Sequence, residues 1–166
     1  QVRFDVELSD RAVDIVDEGF DLAVRIGDIG SQSLIGRRIG ATQLVCCAAP
    51  AYLAAHPAPR TPVDLARHAC LTYEYASGGN LWRFTDAAGR IHDARVDGDT
   101  HANNGAMLAA LAVAGAGINL GPDFIVAGDV RAKQLFVSRI AGHSLERQFG
   151  WLYPKMTRLP RSVSEV

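Results

Sequence analysis

The residues best placed to do chemistry are Thr100-His101-Ala102-Asn103-Asn104-Gly105, which lead into the apolar stretch Met107 to Ala114. The Leu and Ala residues of that stretch favour helix, and Asn is a preferred helix cap. A helix start presents unpaired N–H groups and a partial positive charge, so it can receive a carboxylate. Thr100 and the two Asn side chains add neutral donors, and Gly105 would let a ligand approach the backbone. Two readings stand side by side. Either one Asn simply caps the helix, or the cluster caps and also binds an anion. Arg25 poses a similar choice. It falls late in an apolar run, where burial requires a partner, so it is half of an ion pair or faces an anion.

Covalent chemistry finds less support. Gly142-His143-Ser144 has the outline of a nucleophile elbow, but Glu146 stands where the second Gly belongs. Gly115, Gly117 and Gly121 follow a helix and open a strand, the reverse of a dinucleotide loop, and no P-loop Lys follows them. His56, His68, His92, His101 and His143 are scattered, without i,i+4 pairing or Cys-x-x-Cys neighbours, so no metal and no cofactor is expected. His101 stands out only for its place beside the Asn pair, and a solvated loop residue is its plain reading. Trp82 and Phe84 alternate on a strand and read first as core, second as a stacking wall for a ligand. Arg37-Arg38 reads as a solvated face. No nucleophile, base and orienter can be assembled, so an enzyme is not expected.

The bulk properties fit a binding domain. A chain of 166 residues, 48% hydrophobic and 21% charged, can bury a core. The formal charge of −1 gives no basic patch for holding nucleic acid directly. No apolar run approaches the roughly 20 residues that span a bilayer. Gln1 to Val6 lacks a signal-peptide layout and reads as a cut inside a longer protein. Cys46 and Cys47 are adjacent and Cys70 stands alone. Neighbours on a strand face opposite ways, so three unpaired thiols and a reducing cytoplasm are expected.

Elements must position these groups. Val2 to Leu8 alternates with a strand period, Ser9 can cap a helix ending at Gly19, and Phe20 to Gly27 reads as a second strand. That order predicts a βαβ unit with parallel strands. Leu34–Ile39 reads as a short connecting strand and Thr42–Ala49 as a buried one. Pro50 opens a short helix, and Thr61-Pro62-Val63-Asp64 starts another. Leu71–Tyr75 reads as a strand, and Leu81–Thr85 with Arg90–Val96 as a hairpin turning at Gly89. The Asn-headed helix, a strand at Gly117–Gly121, a helix from Pro122, and strands at Leu135–Ser138 and Arg147–Tyr153 follow. A further helix is expected from Pro160. The class is α/β.

Taken together, these residues resemble LysR-type transcription regulators. Val13 to Gly27 with its Arg25-Ile26-Gly27 end is similar to the first-lobe signature of one large subgroup. Leu34 to Ile39, the Cys46-Cys47 strand with Ala49 to Leu53, Leu81 to Phe84, Asn103 to Gly105, Ala114 to Ile118 and Pro122 continue it in family order. The resemblance covers essentially the whole chain. It implies a periplasmic-binding-protein-like fold, two α/β lobes joined by crossover strands near Thr42–Ala49 and Arg147–Tyr153. Lobe one then takes residues 1–45 and 150–166, and lobe two takes 46–149. An effector cleft is implied between them, lined by Arg25, Ile26, Gly27, Thr72, Tyr73, Thr100, Asn103, Asn104 and Pro122. The implied partners are a small, anionic effector, a second copy of the chain, and DNA only through a helix-turn-helix domain absent from this stretch. No membrane partner is implied. The family's first strand and helix of lobe one are absent as well, which would leave Val2–Leu8 without a neighbouring strand. The rival is a secreted solute-binding protein of similar fold.

Overall fold

The computed structural model describes residues 3–11, 13–27, 34–138, 140, 143–144 and 146–154. In chain order the first elements are β1 (Ala23–Ile26), β2 (Leu34–Ala48), α1 (Pro50–Ala55), a 3₁₀ turn (Pro62–Arg67) and β3 (Cys70–Tyr73). Then come β4 (Leu81–Asp86), β5 (Ile91–Arg95), β6 (His101–Ala102), α2 (Gly105–Val113) and β7 (Ile118–Pro122). Last are α3 (Asp123–Arg131), β8 (Phe136–Ser138), β9 (His143–Ser144) and β10 (Glu146–Pro154). The chain divides into a middle unit, Gln43–Glu146, and a terminal unit, Gln1–Thr42 with Arg147–Val166. No helix of the described residues is long and apolar enough to cross a membrane.

The middle unit is built on a mixed sheet. The end of β2 pairs antiparallel with β7 and β8, while β3 lies parallel to both β7 and β6. Successive side chains face opposite ways, so Cys46 joins one apolar layer and Cys47 the other. The Cys46 layer packs the sheet on Tyr52, Leu65, Trp82 and Phe84, from α1, the 3₁₀ turn and β4. The Cys47 layer packs it on Leu108, Ala109 and Ala112 of α2 and Val126 of α3. Trp82 and Phe84 are buried in this core, so the stacking-wall alternative is set aside.

Local signals were well placed here. β4 and β5 form the expected hairpin, and Gly89 takes φ 79° at its turn. Pro50 begins α1 as expected. The Asp64 carboxylate accepts the Arg60 and Thr61 backbone N–H groups at 3.0 and 2.8 Å, closing the 3₁₀ turn's first donors.

The terminal unit departs from expectation. Residues 3–8 form no strand, and Phe4, Val6 and Leu8 are 66%, 74% and 93% exposed. A strand holds only where a neighbour takes its N–H and C=O groups, and no described strand lies beside this segment. The expected helix is a single turn at residues 15–19, headed by the Asp14 carboxylate, which accepts from Val16 and Asp17, and ended by Gly19 at φ 76°. Hence the βαβ unit expected over Val2–Gly27 is not formed among the described residues. β1 instead pairs antiparallel with β10, Arg25 opposite Gly150. β1 is also an edge strand rather than a doubly covered one, with Val24 63% exposed.

The two strands expected at Leu34–Ile39 and Thr42–Ala49 are one continuous strand, β2. Gly40 permits this. A Cβ there would meet the Phe149 ring at 2.8 Å, so its absence seats that ring against the middle of β2. The helix expected from Pro160 lies outside the described residues.

Candidate functional site

Three parallel strands of the middle unit, β3, β6 and β7, end on one edge at Tyr73, Ala102 and Pro122, and α2 and α3 begin there. In open α/β sheets such a carboxyl edge is where ligands bind. Six of the expected site residues fall on it: Thr72, Tyr73, Thr100, Asn103, Asn104 and Pro122.

Asn104 is the helix cap. It is extended, at φ −133° and ψ 121°, and its Oδ1 accepts the Met107 N–H at 2.9 Å. Asn103 is exposed, and its side chain makes no hydrogen bond to the described residues. The pair therefore splits by role, with one amide engaged by the helix and one facing outward. Pro122 holds the cap position of α3 without a side-chain hydrogen bond. Tyr73 is half-buried against the α2 layer and meets Tyr75 edge to face at 5.8 Å.

Thr72 is buried, and its hydroxyl is already committed. Oγ1 donates to the Thr100 carbonyl at 3.2 Å and also touches Nδ1 of His101. The hydroxyl and the ring nitrogen are hydrogen-bonded to each other, and the rest of the His101 side chain is exposed. Thr72 is thus hydrogen-bonded to the backbone and ring of the neighbouring strand that carries His101. His101 was not among the expected site residues. Its two-residue strand is too short to show a period, and its partner is 29 residues away.

Arg25, Ile26 and Gly27 belong to the terminal unit, at and just after the end of β1. Arg25 is half-buried and makes no ion pair with the described residues, while Gly27 takes φ 113°.

Other chemistry is absent among the described residues. No three His, Cys, Asp or Glu side chains gather as a metal site. All three cysteines are free and buried. Burial pushes the Cys47 and Cys70 thiols up to about 11 and about 12, and Cys46 higher still, so none is a thiolate nucleophile near neutrality. Ser144 lies in β9, paired with Thr85 of β4, and not at a strand-to-helix elbow. Asp86, held well below the usual carboxylate range by His92 and then Arg90, closes the hairpin turn. A groove of about 310 Å³ between α2 and α3 is lined by none of the expected residues.

An edge of this kind is where such a sheet can receive a ligand. The LysR substrate-binding-domain profile matches residues 1–166, and the chain belongs to that family. An uncharacterized HTH-type transcriptional regulator of Haemophilus influenzae is 30% identical over 99% of this chain and 57% of its own length. The full-length Vibrio cholerae virulence activator AphB, a member of the LTTR protein family, superposes with a TM-score of 0.79 at 25% identity. That match covers 96% of this chain and 54% of AphB. The CrgA regulatory domain of Neisseria meningitidis gives 0.76 at 25% identity, over 90% of this chain and 73% of that one. The chain therefore spans little more than half of these full-length relatives. The fold is the periplasmic-binding-protein-like α/β fold of LysR regulatory domains, and the family is one of regulators, not enzymes.

Proposed function

We propose that the chain is the effector-sensing domain of a LysR-type transcription regulator, and that a small anionic molecule binds at the carboxyl edge of β3 and β6. The observation that carries this reading is the gathering of Thr72, His101, Asn103 and Asn104 on that one edge, within a chain matched throughout by the family profile. Asn103 supplies an outward amide donor, His101 a fixed ring, and Asn104 the order of the helix start. Tyr73, Thr100 and Pro122 complete the rim. Arg25, Ile26 and Gly27 are added to the effector-binding residues on the family resemblance alone.

Binding acts without covalent chemistry, by favouring one arrangement of the protein over another. The whole protein would self-associate, work in the cytoplasm, and meet DNA through a helix-turn-helix domain of its own. The names of the H. influenzae relative and of Escherichia coli DmlR, both HTH-type transcriptional regulators, support the helix-turn-helix part of this reading. They give no support to the rival reading of a secreted solute-binding protein. The middle unit is read as lobe two and the terminal unit as lobe one.

Titration calorimetry with a panel of small carboxylates, on the parent and on the double variant Asn103→Ala, Asn104→Ala, tests the site. At least one carboxylate is expected to bind the parent, and the variant should bind it about tenfold or more weakly, the value of a lost hydrogen bond to a charged group. Equal affinity in the two proteins removes the Asn pair from the site.

A further inference from the structure

The Cys46 side of the middle unit carries a second cluster of titratable groups that the effector site does not use. Tyr52 of α1, His56 at the end of α1, and His68 just before β3 bring three rings together. Tyr52 stacks on His56 with centroids 4.5 Å apart at 19°, lies 5.9 Å from His68, and the two imidazoles are 6.4 Å apart.

One arrangement gives every donor of the neutral cluster an acceptor. The buried Tyr52 Oη accepts the Ala69 N–H at 3.0 Å, and the acceptor within reach of its own hydrogen among the described residues is His68 Nδ1 at 3.2 Å. His68 in its neutral form then carries its proton on Nε2. His56 Nδ1 lies 3.2 Å from the Tyr52 carbonyl, which can only accept, so there the proton is on Nδ1. Tyr52 is the pin of the assembly, joining α1 to the chain just ahead of β3.

We propose that this cluster is a proton-sensing clasp, a site whose ligand is H⁺, which holds α1 to the start of β3 when His68 is neutral and lets go when it is charged. The second proton on His68 must land on Nδ1, the atom that now accepts from Tyr52. Donor then faces donor. Tyr52 must turn its hydrogen away, and in a buried place that hydrogen finds no acceptor. The groups around His68 set the balance. Burial opposes its charging first, His56 across the cluster opposes it next, and Asp64 of the 3₁₀ turn favours it. Arg67 on the same turn, Cys70 of β3 beside Tyr52, and Asp97, bridged to Ala69, complete the surroundings. His68 is held below its ordinary imidazole value and Tyr52 above its phenol value, so the neutral clasp is the form present at pH 7. A depressed histidine holds its stabilisation above the unfolded value and loses it as pH falls through the depressed one. The clasp therefore loosens below about pH 6.5.

Amide hydrogen exchange at Ala69 reads this directly, since that N–H donates to Tyr52. After correction for intrinsic rates, protection in the parent should fall severalfold between pH 7.5 and 5.0, because the clasped His68 takes up its proton less readily than the released one. In His68→Asn, whose amide oxygen can still accept from Tyr52 but cannot titrate, protection should stay flat. In His56→Ala the fall should be smaller and complete at higher pH, because a neighbour that depresses His68 is gone. Flat protection in the parent, or an equal fall in His68→Asn, overturns the clasp. Should that variant fail to fold, nitrogen NMR of the His68 ring decides. The Nε2–H form titrating below the ordinary value supports it, and a tautomer mixture titrating at the ordinary value overturns it.

Discussion

Lys133, just past α3, sits at φ 60°, and among the described residues it is the one non-glycine with a positive φ. A side chain there crowds the carbonyl, and glycine is the usual occupant of a helix end in this conformation. Lys133→Gly should raise stability by about 0.5–1 kcal/mol, measured by urea unfolding; no gain would mean that the lysine's own contacts offset the strain. Residue-scale reasoning from sequence did well at Asn104, because capping is a local rule acting over three positions. It did not reach the hydrogen bond between Thr72 and His101, whose partners stand on different strands. Chemistry that depends on a neighbour far along the chain leaves no spacing to read.

At the scale of elements, β2 shows how packing overrides a break read from composition. On paper it divides into a short connecting strand at Leu34–Ile39 and a buried one at Thr42–Ala49. In the fold, Gly40 is where the Phe149 ring crosses, and the strand runs on. Gly40→Val should cost about 1–3 kcal/mol by overpacking, and Phe149→Ala in the same chain should recover part of that loss. Additive losses in the double variant would show that the two residues do not share the space. The hairpin, the two capped turns and the helices of the middle unit were legible because their signals are short-range. The expected β-strand at Val2–Leu8 had the right alternation, but alternation names a face only when another strand supplies the ladder.

Over the whole molecule, burial is uneven. Both apolar layers belong to the middle unit, whereas the terminal unit buries Ile15 and Leu152 and leaves Phe4, Val6 and Leu8 exposed. Amide exchange should follow that division, with β3 and β7 slower than residues 3–8 by about a thousandfold or more. Comparable protection in the two would contradict the unpaired state of that segment. The family was legible from the order of many modest motifs rather than from any single one. The placement of the terminal unit's first strand was not, since it depends on a partner strand that no described residue provides.

One consequence follows from the alternation of Cys46 and Cys47. Those two residues, like Cys70 and Leu71 on β3, place consecutive side chains in different layers. The sheet is thus a party wall, tenanted on one side by the Tyr52 clasp and the hairpin and on the other by α2 and α3. Neither tenant can remodel privately, because moving a shared brick by one position would evict both.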